Sequence, residues 1–182
     1  MPKTLSTWER KLIDVTLQFA NADTPNRRLY SAVKWGKSGR TWLTDLGHDE
    51  QEVQSDARRW LHETVDGAGR RGRVAAEISA NLRSVRSLLS LTKDGHVRHE
   101  YLPIGLRAAV ALGCALLLDD RYGLRSHLGQ CKARGCAKFF IGSGNGRPGS
   151  WCKPAHKVPA QSALNLARVM KHNALASGKK RR

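Results

Sequence analysis

The last 62 residues of this 182-residue chain contain no aspartate and no glutamate. Residues 121–182 carry 14 Lys or Arg, while residues 1–120 carry 18 Lys or Arg against all 15 Asp or Glu. A nearly neutral segment of net +3 is therefore followed by a cationic one of net +14. Without carboxylates, the second segment does not favour a hard metal ion. Other absences narrow the reading further. No apolar run reaches 18 uncharged residues, so no membrane-spanning helix is expected. No hydrophobic leader accompanies Lys3, which implies reduced thiols and a cytoplasmic location. Gly36 to Gly39 has the letters of a phosphate loop, but Ser31 stands where its upstream glycine is needed. His96 and His99 lack an HExxH pattern and point to opposite faces of an extended segment. No nucleophile, base and oxyanion donor form a coherent set, so no enzyme is expected.

What is present is concentrated between Cys131 and Met170. Cys131 and Cys136 are separated by four residues, fifteen more precede Cys152, and three separate it from His156. Two short ligand pairs around a hairpin-sized spacer make a structural metal pattern, and zinc takes thiolate and imidazole ligands tetrahedrally. Four protein ligands leave no position for a catalytic water. Gly135 supplies conformational freedom at the turn into Cys136. Ordinary buried thiols with a solvated His156, or a disulfide pair, are the alternatives. Within this stretch 138–141 reads as a strand, with Phe139 and Phe140 on opposite faces, and Trp151 reads as a packing residue.

The segment resembles the CGNR zinc-finger family of bacterial proteins. The likeness is carried by C-x4-C-x2-FF at Cys131, Cys136, Phe139 and Phe140, a glycine- and arginine-containing loop, and then Trp151-Cys152. His156 stands where the family has the Cys of its Cys-Gly-Asn-Arg motif, and Lys157, Val158 and Pro159 replace the other three residues. The N-terminus also resembles the domain commonly found before such fingers, with Asn21-Ala22 in place of an Asn-Thr pair. The resemblance implies transcriptional regulation, DNA as partner and zinc as cofactor, with the N-terminal domain sensing a signal. The role of the family's missing arginine does not carry over.

The rest of the chain reads as helices. Leu12, Val15 and Phe19 form one stripe, extended by Leu5 and Trp8. Asn21 is expected to cap that helix or fix its following turn. Asp49 to Val65 is a second helix, with Asp49 and Glu52 at capping-box spacing and Gln54, Asp56, Arg59 and Glu63 on a solvated face. Gly72 to Leu91 is read as a third helix, with Val74, Ile78, Leu82, Val85 and Leu89 at helical spacing. Asp94-Gly95 signals a turn, and Val97 to Leu102 one strand. Ile104 to Leu118 is a buried helix with Cys114 as a core thiol, continued toward the finger by Leu124 and Leu128. Pro159 fits the first turn of a C-terminal helix whose covered side uses Leu164, Ala167 and Val169 or Met170.

These readings give a mainly α fold, with α+β as the alternative. A mostly helical regulatory domain is expected over 1–128, before a small treble-clef-like zinc module over 129–176 and a basic tail over 177–182. The expected function is a DNA-binding transcription regulator. An RNA-binding protein and a zinc-stabilised protein-interaction module are the alternatives; a homodimer stays open and no small-molecule effector is identified. Candidate phosphate contacts are Arg134, Lys138, Arg147, Lys153 and Lys157 in the module, and Arg168 and Lys171 along its helix. Lys179, Lys180, Arg181 and Arg182 in the tail add non-specific attraction.

Overall fold

Ser6 fixes where the first helix begins. The computed structural model describes residues 4–33, 49–66, 71–91, 97–142, 150–157, 165, 166 and 168–170. In it α1 spans Thr7–Asn21 behind a capping box: the Ser6 amide donates to Glu9 Oε2 at 2.7 Å and Ser6 Oγ accepts from the Glu9 amide at 3.4 Å. Glu9 is also a tertiary anchor, because the Tyr122 hydroxyl donates to its Oε1 at 2.6 Å. Leu12, Val15 and Phe19 are buried as their spacing requires, and Leu5 and Trp8 pack at the margin. A 3-10 segment, Arg27–Ala32, follows and buries Tyr30.

Helix α2 covers Glu50–Asp66. Asp49 caps it by accepting from the Gln51 amide at 2.9 Å. Glu52 does not close the expected box; its carboxylate is ion-paired with Arg107, 2.7 Å away. Gln54 is not solvated either. It is 4% exposed, and its amide donates to the carbonyls of Phe19 and Ala22 at 2.8 and 2.9 Å. Arg58 donates to the carbonyls of Ala20 and Ala22, both at 2.7 Å. Helix α1 has no basic residue in its last turn, so α2 supplies both the donors and the positive charge that its carbonyl end needs.

The expected helix from Gly72 to Leu91 divides in two. Helix α3 is Arg71–Leu82, and after a turn at Arg83 and Ser84 the chain becomes strand β1, Val85–Leu91. Val85 and Leu89 sit at a spacing that a short strand satisfies as well as a helix does. Strand β2, Val97–Pro103, decides between them by pairing antiparallel along all of β1, from Val85 opposite Pro103 to Leu91 opposite Val97. Helix α4, Leu106–Leu118, is the centre of the fold and packs on α1, α2 and α3. Cys114 is fully buried within it, and burial pushes its thiol up to about 12. Thr16 of α1 sits against Gly113, where an added Cβ would collide with Thr16 Oγ1. That oxygen already donates to the Leu12 carbonyl at 2.8 Å and accepts from the Tyr30 hydroxyl at 3.1 Å.

Leu124 and Leu128 do not continue α4. Gly123 adopts φ +66°, outside helical space, and separates two 3-10 turns, Asp120–Tyr122 and Leu124–His127. Leu128–Gln130 then forms β3, which pairs antiparallel with β4, Phe139–Ile141. The fold is thus mainly helical with two small antiparallel sheets, and a Cys/His cluster lies in its C-terminal region. Among the described residues no helix is long and apolar enough to cross a membrane. Trp35, Trp42, Leu43, Leu46, the Gly36 to Gly39 turn, Asp94-Gly95, His96, Pro159, Leu164 and Ala167 lie outside the described residues.

Candidate metal centre and the cationic surface around it

The β3–β4 hairpin puts the first ligand pair in its connecting loop. The ladder runs one step beyond β3, with the Cys131 amide donating to the Lys138 carbonyl at 2.9 Å. The chain then turns tightly: the Cys136 amide donates to the Ala133 carbonyl at 2.9 Å, and Gly135 takes φ +75°, as its place before Cys136 predicts. The second pair is brought alongside by a bond from the Lys132 amide to the Ser150 carbonyl at 2.9 Å. Cys152 precedes a helical turn at 154–157, on which His156 sits. A knuckle, a short hairpin and a helical turn bearing the last ligand make a treble-clef-like arrangement.

The four ligand atoms lie within 4.8 Å of one another. Sγ of Cys136 and Cys152 are 3.8 Å apart, and His156 Nδ1 is 3.4 Å from Sγ of both Cys131 and Cys152. Metal–sulfur bonds of about 2.3 Å and metal–nitrogen bonds of about 2.0–2.1 Å, set tetrahedrally, require edges of roughly 3.8 Å between sulfurs and roughly 3.5 Å between sulfur and nitrogen. Three of the six edges match these lengths, and the four atoms lie close enough together to hold a metal ion. No disulfide forms among these residues: all four cysteines of the chain are free.

Electrostatics agree with the geometry. Burial pushes the Cys131 thiol up, but the backbone amides of Cys152 and Ala133, then His156 and Cys136, outweigh it and hold the thiol at about 6. Burial and the neighbouring Cys131 and Cys136 push Cys152 up to about 11. One thiolate is welcome in this nest, and further negative charge is repelled. A divalent cation at the centre removes that repulsion and draws all three thiolates.

Contacts with the helices hold this module in place. Leu128 and Phe139 belong to the same buried cluster as α1, α2 and α4. Phe139 is 5% exposed and Phe140 is half-buried, in keeping with opposite faces of β4. Trp151 is half-buried. Asn21 makes the join specific. Its Nδ2 donates to the Phe139 carbonyl and its Oδ1 accepts from the Phe139 amide, both at 2.7 Å. Asn21 neither caps α1, whose C-cap is Ala22, nor fixes the following turn; it pairs with β4 as a third strand would. The sequence signal was only a terminal Asn. Its partner, 118 positions away, was not visible.

The cationic candidates divide into two groups. Arg134, Lys138, Lys153 and Lys157 are exposed on the ligand-bearing segments, and Arg168 is exposed farther along. Arg147, Lys171, Lys179, Lys180, Arg181 and Arg182 lie outside the described residues. Val169 and Met170 do not cover a side; with Leu166 they are 56%, 65% and 61% exposed. No family model and no curated protein matches the chain, so the likeness to CGNR fingers rests on the residues that carry it.

Proposed function

We propose that this chain is a DNA-binding transcription regulator of the CGNR type, acting in the cytoplasm, in which zinc holds the binding module together. The reading is carried by one observation: Arg134, Lys138, Lys153 and Lys157 surround the four-ligand cluster in a segment that contains no carboxylate. Three thiolates and one imidazole are soft and borderline ligands of the kind that select zinc over magnesium or calcium. Bound there, zinc is structural: it ties the hairpin loop to the helical turn and fixes the cations on both. Three thiolates and a divalent ion leave the module's net charge one lower, so the surrounding field stays strongly positive. Such a field attracts a polyanion at long range. With every coordination position filled by protein, the module serves binding rather than catalysis.

The test is binding of the metal-loaded full chain to duplex DNA over a salt series. Log affinity is expected to fall linearly with log salt, with a slope of about −0.9 per phosphate neutralised. Absence of salt-dependent DNA binding refutes the reading, and much tighter binding to matched RNA replaces it with RNA recognition. The exposed Leu166, Val169 and Met170, at helical spacing, favour a protein contact as the second reading. Retained partner binding with no affinity for either nucleic acid would establish it.

A further inference from the structure

A concavity lies between the helices and the segments that carry the Cys/His cluster. It has a volume of about 820 Å³. Arg58, Arg59 and His62 of α2 line one wall, and Arg134, Lys138 and Lys153 line the other. The helical wall has no counterpart in the sequence motif of the finger. Arg58 and His62 are four residues apart on α2, so they share one face of that helix, and both are exposed.

The charges in this cleft are unevenly compensated. Arg59 is balanced by Asp56 at 2.9 Å and Glu77 at 2.6 Å, although its Nη1 is enclosed without a hydrogen-bond partner among the described residues. Arg58 spends two donors on the carbonyls of Ala20 and Ala22, which carry no net charge. Among the described residues, three of the five guanidinium donors remain unspent. His62 has Asp66 at 3.2 Å, outside the cleft lining. Asp23 is the acidic residue among the lining side chains. Small-molecule pockets are mostly apolar and aromatic with few polar groups. This cleft has Phe139 as its one aromatic and cations on both walls. Concave surfaces of one sign focus the field on a polyanion, and repeated phosphates with polar sugars need no apolar pocket.

We propose that this cleft seats the phosphodiester backbone of DNA, with Arg58 and His62 of α2 as contacts on its helical wall. This rests on the DNA-binding reading and extends the interface from the metal module onto the helical part of the chain. The Asn21 clamp to Phe139 then has a functional consequence, since it fixes the width between the two walls.

The experiment uses the metal-loaded full chain and a labelled duplex, titrated between about 50 and 200 mM salt. Arg58→Gln is expected to weaken binding across unrelated sequences and to reduce the magnitude of the salt slope by about one. His62→Glu is expected to weaken it about tenfold, and Arg58→Lys to restore much of the slope. Because Arg58 also caps α1, DNA protection of Arg58 from phenylglyoxal is measured on the unsubstituted chain, and protection is expected. Wild-type affinity and slope in Arg58→Gln and His62→Glu, with loss in Lys153→Gln, would overturn the cleft assignment while leaving the DNA reading intact. Failure of the unsubstituted chain to bind DNA removes both. A 5′-mononucleotide that binds as tightly as the duplex, with the same dependence on Arg58, overturns the proposal in favour of a small phosphorylated ligand.

Discussion

Replacing Asn21 by alanine removes both bonds that tie α1 to the backbone of Phe139, each 2.7 Å long. A hydrogen bond of this kind contributes about 0.5–1.5 kcal/mol net, and a backbone group left unpaired costs about 1–3 kcal/mol when fully buried. The site is only part-buried, so water reaches the vacated positions and the lower end applies. The expected loss is about 2 kcal/mol in all. For a chain of this length that lowers Tm by about 4–8 °C. Asn21→Asp is expected to do more damage than alanine, because it keeps the acceptor for the Phe139 amide but sets a carboxylate oxygen against the Phe139 carbonyl. All four residues of the Cys/His cluster lie between Cys131 and His156 and none is on α1, so metal stoichiometry is expected to stay unchanged in both variants. Thermal unfolding of the metal-loaded protein, with metal content measured on the same samples, gives both readouts. A change under about 0.5 kcal/mol, the range of an ordinary surface substitution, would show that the clamp does not hold the module. Loss of the metal with the helices unaltered would show that the coupling runs elsewhere.

Three further outcomes are expected. The purified chain contains about one zinc ion, and Cys152→Ser or His156→Ala lowers its retention against a chelator; full retention with unchanged coordination in His156→Ala removes the histidine from the ligand set. Gly113→Ala lowers stability by about 1–3 kcal/mol through overpacking against Thr16, as read by denaturant midpoint; a neutral result would mean that Thr16 turns away without loss of its bonds. Arg59, then Trp60 and Arg73, hold the Glu77 carboxyl at about 2, below its ordinary 4.5. Its depressed value means that its contribution is full above pH 4.5 and disappears as pH falls toward 2. Tm of the unsubstituted chain should therefore drop more steeply over that window than Tm of Glu77→Gln, and parallel profiles would contradict the assignment.

The Cys/His cluster was legible in the sequence because a cluster built from two short pairs is local. Four- and three-residue gaps confine each pair to one turn, and Gly135 marks where the turn lies. The apolar stripes of α1, α2 and α4 were legible for a related reason: burial on one helix face imposes a spacing that the chain displays directly. The missing acidic residues of the last 62 positions likewise needed no fold to be seen. Strand β1 was not legible, because Val85 and Leu89 satisfy both periods and only pairing with β2 selects one. Gln54 read as a surface residue and Glu52 as half of a capping box, yet one is buried on the end of α1 and the other is ion-paired with Arg107, since their partners come from distant segments. The same holds for Asn21, whose polar side chain finds its two bonds on a strand 118 positions away. Local periodicity and ligand spacing write themselves into sequence. Which polar group meets which backbone, and that Arg58 and Lys153 come to line one cleft, was decided only when α1 and α2 packed against the hairpin that carries the Cys/His cluster.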